Sequence, residues 1–239
     1  SGKGWRVKYY KGLGTSTTKE AKEYFKRMKL VNYQWDSTYS DNAIDLAFNK
    51  SRSDDRKDWL NAFDRAVVLD SKQEGVTYDE FIHKDFIHFS NYNLIRSIPS
   101  LIDGMKPSQR KIMFSCFKRN LSREIKVAQL AGYVSENAAY HHGEVSLQDT
   151  IVGLAQDFVG SNNVNFLLPN GTFGSRLQGG KDSASARYIY TCLNPLTNHL
   201  FKKEDAPLLK YLDDDGQSIE PEFYAVSYTH LRAHETETN

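Results

Sequence analysis

The sequence predicts an α+β fold that is mostly helical, on three observations. Apolar residues recur at helical spacing in segments from about 17 to about 158. After Gly160-Ser161-Asn162-Asn163 the pattern turns to short β-like runs with turn signals. Over residues 127–158 a short helix, a connecting turn and a longer helix lie in succession.

Trp5 to Tyr10 is a strand-like run, and Gly12 and Gly14 predict a tight turn after it. Thr17 and Glu20 have capping-box spacing and open a helix to about Leu30. A second helix is expected over 41–49, with Ala43, Ile44, Ala47 and Phe48 on one face, and a charged helix start follows at Asp54. Residues 64–78 lose periodicity and read as linker. Helical patterning resumes at Glu80 and runs towards Asn93, and Ser97-Ile98-Pro99-Ser100 breaks it. The domain division expected is 1–63, a linker over 64–84, a second domain over 85–225, and a tail over 226–239.

Pro107 sits in the first turn of the next helix, whose apolar stripe is Ile112, Met113, Cys116 and Phe117. The short helix is expected to end at Gly132, the turn to cover 133–143, and the longer helix to run over 144–158. Its buried face is Leu147, Ile151, Leu154, Ala155 and Phe158. This is a helix-turn-helix layout. A strand over 164–169, the Asn170-Gly171 turn and a wing over 173–180 extend it to a winged helix.

The 239 residues suffice for one large domain or two small ones. A hydrophobic fraction of 39% and a charged fraction of 26% are ordinary for a soluble globular chain. No apolar run approaches a membrane span, and no membrane partner is expected. Cys116 and Cys192 lie far apart, so neither a disulfide framework nor a metal motif is implied. Net charge is +1, but unevenly spread. Between Arg96 and Lys126, eight lysines and arginines face only Asp103 and Glu124, an excess of six. That band reads either as a polyanion footprint or as a solvated helix face. Arg110 and Lys111 lie at the positive end of a helix dipole and, with Arg96 and Lys106, make a cluster that gains from a bound anion.

Two further stretches carry chemistry. Gly179 to Tyr188 ends in Arg187-Tyr188, where a fixed cation stands beside a weak phenolic nucleophile. With 14 tyrosines in the chain, a core or interface aromatic is the alternative reading. Gly179-Gly180-Lys181 lacks the spacing and hydroxyl of a phosphate-binding P-loop. Tyr140-His141-His142-Gly143 precedes the longer helix, where donors would face phosphates; adjacent histidines with no thiol or carboxylate set make a poor metal site.

Together these stretches resemble the eukaryotic type IIA DNA topoisomerases. The resemblance rests on Lys8 to Thr17, Arg96 to Ser100, Asp103 to Pro107 running into Gln109-Arg110-Lys111, and Lys126 to Ala131. It continues through Tyr140 to Glu144, Asn165 to Gly174 and Gly179 to Tyr188, covering roughly 3–224 in unbroken order. It implies a toprim remnant of mostly helical character, then a winged-helix domain with a catalytic tyrosine. The implied activity is ATP-dependent double-strand DNA cleavage and religation through a 5'-phosphotyrosyl intermediate. Tyr188 matches the attacking tyrosine, Arg187 the transition-state stabiliser, and His142 a residue on the scissile phosphate. The implied DNA-binding set is Arg56, Lys57, Arg96, Lys106, Arg110, Lys111, Tyr140, His141 and Ser146.

The resemblance also implies a homodimeric, nuclear enzyme that uses Mg2+ and ATP when full length. Neither cofactor is expected on this segment: the magnesium carboxylates are expected upstream of Ser1, and Asp213-Asp214-Asp215 reads as a solvated acidic turn. Residues 226–239 depart from the family pattern and read as a cloning or assembly scar. A segment with half a cleavage site is expected to be inactive alone. The alternative reading is a non-catalytic winged-helix DNA-binding module.

Overall fold

Thr17 and Glu20 cap the first helix reciprocally: the Glu20 N–H donates to Thr17 Oγ1 at 3.3 Å, and the Thr17 N–H donates to the Glu20 carboxylate at 2.7 Å. The computed structural model describes residues 16–28, 30–70 and 72–224. They fall into two compact units that divide after Ser90. The expected strand at Trp5, the Gly12 and Gly14 turn and the tail lie outside the described residues.

In the first unit, α1 (Thr18–Lys26) is followed by β1 (Asn32–Gln34), α2 (Thr38–Phe48), α3 (Ser53–Asn61), β2 (Gly75–Thr77), α4 (Tyr78–Phe81) and the start of α5 (Ile87–Ser97). α1 buries no residue and stops short of Leu30. The inward face of α2 is Ser40, Ala43 and Leu46, while Ile44 and Phe48 are exposed, against expectation. Ser40 decides this rotation, because its hydroxyl bonds Asp36, turning that side of the helix inward.

The expected linker is partly folded. β2 pairs in parallel with β1, Asn32 opposite Gly75, and Val76 is buried. Three-residue strands are too short to show alternation in sequence, and the partner here is distant along the chain. Thr77 then caps α4 through Glu80, repeating the device of α1. A π-helical turn, Ile82–Phe86, joins α4 to α5. Its wider turn, with more residues per revolution, keeps Ile82 and Ile87, five residues apart, both buried.

The second unit begins at Asn91 and contains the rest of α5. It continues with α6 (Pro107–Lys118), β3 (Ile125–Lys126), α7 (Val127–Asn137), α8 (Glu144–Ala155), β4 (Tyr190–Thr191), α9 (Pro195–Leu200), β5 (Tyr211–Asp214) and β6 (Gln217–Pro221). Its core is the meeting of three helix faces: Ile112, Met113 and Cys116 of α6, Leu130, Ala131 and Val134 of α7, and Leu147, Ile151, Leu154 and Ala155 of α8. Burial pushes the Cys116 thiol up to about 12.

α7 does not end at Gly132 but continues to Asn137. Glycine inside a helix costs about 1 kcal/mol, and burial of Val134 two residues further on outweighs that. α8 stops at Ala155 rather than at Phe158. Gln156 leaves the helix and sends its amide to the carbonyls of Phe173 and Gly180, and Asn162 bonds the carbonyls of Gly153 and Gln156.

Residues 164–169 form no continuous strand. They make only single bridges, Leu167 with Leu193 and, just beyond, Asn170 with Tyr190. Backbone bonds run from the Leu168 N–H to the Cys192 carbonyl and from the Asn194 N–H to the Phe166 carbonyl, but Pro169 has no N–H to give, and the Asn165 and Asn194 side-chain amides bond further carbonyls. The acidic turn at Asp215 closes a β5–β6 hairpin, with Asp215 and Gly216 both at positive φ (54° and 84°). No helix among the described residues is long and apolar enough to cross a membrane.

Candidate active site

Tyr188 is 70% exposed, whereas its neighbour Ile189 is 2% exposed. That contrast comes from how the loop is pinned. The first two amides of α7, which have no partner within the helix, donate to the loop: Val127 N–H to the Ile189 carbonyl (3.1 Å) and Ala128 N–H to the Ala186 carbonyl (3.0 Å). β4 continues directly from Ile189, with Tyr190 paired against Lys126 of β3 and bridged on its other side to Asn170. Gly171 makes room for the anchor, since a Cβ there would lie 2.9 Å from Ile189 Cγ2. The phenol of Tyr188 therefore projects from a backbone held on both flanks.

The Arg187 guanidinium lies 5.5 Å from the centroid of the Tyr188 ring. Its Nε reaches Ser185 Oγ at 3.5 Å. No carboxylate among the described residues pairs with Arg187, so the charge remains available beside the phenol. Upstream, the glycine loop is closed on itself. Ser175 N–H donates to Asp182 at 2.7 Å, and a Cβ on Gly174 would lie 2.6 Å from the Gly180 carbonyl oxygen. The backbone bond from Ser175 holds the Asp182 carboxyl below its ordinary value.

A second group of residues gathers around His142. Its Nε2 is 3.0 Å from the Tyr92 hydroxyl, and the buried Tyr140 ring meets it edge-on, centroids 5.4 Å apart. Burial, then the charges of Arg96, His141 and Lys111, lower the pKa of His142 and so favour the neutral imidazole. Arg96 is exposed near the end of α5 and has no carboxylate partner among the described residues.

The other candidates divide into free and committed cations. Lys106 is exposed at the N-cap of α6, its own N–H bonded to Gln109. Ser146 is exposed on α8. Arg110, by contrast, is 5% exposed and makes a bidentate pair with Asp103 plus a bond to the Met105 carbonyl. Lys111 is held by Glu220 at 2.8 Å and the Ala138 carbonyl at 2.6 Å. His141 pairs with Asp214 at 3.1 Å. The expected four-cation cluster is thus reduced to Arg96 and Lys106, because buried carboxylates from outside the helix start neutralise the rest. In the first unit, Arg56 caps the carbonyls of Leu46 and Asn49 at the end of α2, and Lys57 pairs with Asp54.

Among the described residues no three His, Cys, Asp or Glu side chains converge as ligands. Asp213 accepts the Gly216 N–H and Asp214 faces His141, so the acidic turn serves the hairpin. Tyr92 was not singled out by sequence reasoning, and a tyrosine among helical apolar residues carried no signal that could have found it.

Two protein families match the chain. The DNA gyrase/topoisomerase IV A-subunit family matches residues 96–228, and the C-terminal associated domain of TOPRIM matches residues 1–94. DNA topoisomerase 2 of Arabidopsis thaliana is 56% identical over 92% of this chain, and that of Plasmodium falciparum is 52% identical over 92%. The chain spans only 15% and 16% of those relatives. A solved structure of the Plasmodium falciparum topoisomerase II DNA-binding, cleavage and re-ligation domain superposes with a TM-score of 0.76 at 52% identity, covering 93% of this chain and 31% of that one. The chain belongs to the DNA gyrase/topoisomerase IV A-subunit family, and over most of its length it is similar to the eukaryotic DNA topoisomerase 2 enzymes.

Proposed function

We propose that this segment supplies the tyrosine half of a type II topoisomerase DNA-cleavage site. The observation that carries the reading is Tyr188, exposed on a loop pinned by the first amides of α7, with Arg187 against its ring. The Tyr188 oxygen attacks a backbone phosphorus and its phenolic proton passes to solvent. The P–O3' bond breaks, a 5'-phosphotyrosyl link forms, and the 3' oxygen leaves and takes a proton. Charge builds on the nonbridging oxygens during attack, and a fixed cation and N–H donors stabilise it more than the ground state. Arg187 is the cation and His142 an N–H donor. Reversal of the same steps religates the strand.

In this reading α7, α8 and the glycine loop are the helix-turn-helix and wing of a winged-helix domain, a finer description than mixed helix and strand. Lys106 and Arg96 contact the phosphate backbone. The whole enzyme acts as a nuclear homodimer on duplex DNA, and uses ATP and Mg2+ held by other parts of it. The test is Tyr188→Phe in the full-length protein, with end-labelled duplex and a denaturing gel. The expected result is loss of the covalent protein–DNA adduct with DNA affinity unchanged. Adducts that survive the change overturn the assignment.

A further inference from the structure

Tyr92 and Arg96 stand four residues apart on α5, so they share one helix face, and both bear on His142. The Tyr92 hydroxyl is 3.0 Å from Nε2 of His142. Nδ1 takes no partner among the described residues. A phosphate oxygen bears only lone pairs, so a neutral imidazole serves it only through the nitrogen that carries hydrogen. Which nitrogen that is depends on the hydrogen bond made by the other one.

We propose that Tyr92 is a positioning residue for the cleavage site, its hydroxyl donating to Nε2 of His142 and so leaving Nδ1–H as the donor to a DNA phosphate. The inference rests on the reading that His142 faces the scissile phosphate. The opposite arrangement, Nε2–H donating to the Tyr92 oxygen, leaves a lone pair on Nδ1 that repels the phosphate. The groups around the ring favour the neutral form that needs this choice. Arg96 approaches from α5, Lys111 from α6 and His141 from the preceding residue, all cationic or able to become so, while the Tyr140 ring packs against the imidazole with centroids 5.4 Å apart. Lys111 and His141 are in turn paired with Glu220 and Asp214. The Tyr140 ring and the Tyr92 hydroxyl both contact the imidazole.

The first measurement is the tautomer of His142, read from the ring-nitrogen shifts of the 239-residue chain labelled at histidine, with His142→Gln assigning the signals. Wild type is expected to carry hydrogen on Nδ1. Tyr92→Phe keeps the half-exposed ring, so the fold is retained. It is expected to give a mixture with Nε2–H and to raise the His142 pKa, because the donor that favours the neutral ring is gone. An Nε2–H tautomer in wild type, or no change in Tyr92→Phe, overturns the proposal.

The second measurement is single-turnover cleavage by the full-length protein over a pH series. Loss of one net hydrogen bond predicts a roughly tenfold slower rate for Tyr92→Phe near neutral pH, with DNA affinity unchanged. The deficit is expected to close as pH falls, because the imidazolium carries hydrogen on both nitrogens and no longer needs Tyr92. A merely structural role gives a deficit independent of pH, and that result overturns the proposal. The two ideas fail separately: adducts persisting in Tyr188→Phe remove the cleavage reading, whereas the tautomer is measured without DNA.

Discussion

Arg110 clamps Asp103 from one turn into α6, with Nε 2.6 Å from Oδ2 and Nη2 2.9 Å from Oδ1. The same carboxylate accepts the N–H of Met105 and, from the far end of the second unit, the N–H of Tyr224 at 3.1 Å. One buried acid thereby joins the loop before α6, the helix itself and the segment after β6. Arg110 sits in the middle of the basic band, yet its charge is spent on the fold.

Removing it exposes that role. Arg110→Ala leaves Asp103 buried without its counter-ion, a change that typically costs about 3–5 kcal/mol. Lys106→Ala, at an exposed position, is expected to change stability by no more than about 0.5 kcal/mol while weakening DNA binding and lessening its salt dependence. Denaturant titration and a binding series at several salt concentrations check both. Equal stability of the two variants contradicts the division of the basic band into structural and free cations.

Lys111 permits a double-mutant test. Glu220 is 2% exposed and loses its partner in Lys111→Met, so a loss of about 3 kcal/mol is expected. Lys111→Met with Glu220→Gln is expected to recover much of that loss, because no unpaired buried charge remains. Thermal unfolding of Lys111→Met, Glu220→Gln and the double variant measures the coupling, and simple additivity contradicts a direct pair.

Gly171 tests the anchoring of the loop that carries Tyr188. It holds φ at +128°, and a Cβ would meet Ile189 at 2.9 Å. Gly171→Ala is expected to cost about 1–3 kcal/mol from strain and overpacking. It is also expected to slow single-turnover cleavage, since Ile189 moves and Tyr188 with it. Unchanged cleavage in a destabilised variant contradicts the link between this packing and the tyrosine.

His142 makes stability depend on pH. Its folded pKa lies below its unfolded value, first through burial and then through Arg96, His141 and Lys111. In the window between the two values the unfolded chain binds more protons, so stability rises with pH there. Its contribution is present above the ordinary histidine value and is lost as pH falls towards the folded one. Arg96→Gln removes one of the charges, so the His142 pKa is expected to rise and the window to narrow. A histidine-resolved titration reads the shift, and a pKa unchanged or lowered in Arg96→Gln contradicts it.

What was legible in the sequence was whatever a short stretch decides alone. The capping pair Thr17 and Glu20, the proline at the start of α6, and the stripe of Ile112, Met113 and Cys116 all read directly, because each reflects contacts within a few residues. The parallel pairing of Asn32 with Gly75 did not, since strands this short carry no period. The ends of α7 and α8 were misjudged because side chains elsewhere decide them, through burial of Val134 and the amide of Gln156. At the site, Arg187 and Tyr188 are adjacent and visible together. The partners Asp103, Glu220 and Asp214, which withdraw three of the basic side chains, come from separate stretches of the chain, and Tyr92 meets His142 only through the fold.

The central claim is that Tyr188 is the residue joined to DNA, and mapping the linkage tests it most directly. The full-length protein is incubated with duplex DNA, the covalent adduct trapped by denaturation, and the DNA trimmed by nuclease. Trypsin, cutting after Arg187 and Lys202, then releases a peptide that contains Tyr188 and Tyr190. Fragmentation by mass spectrometry is predicted to place the residual nucleotide on the Tyr188 oxygen. A nucleotide on Tyr190, which lies in β4 and pairs with Lys126, or on any other residue contradicts the account.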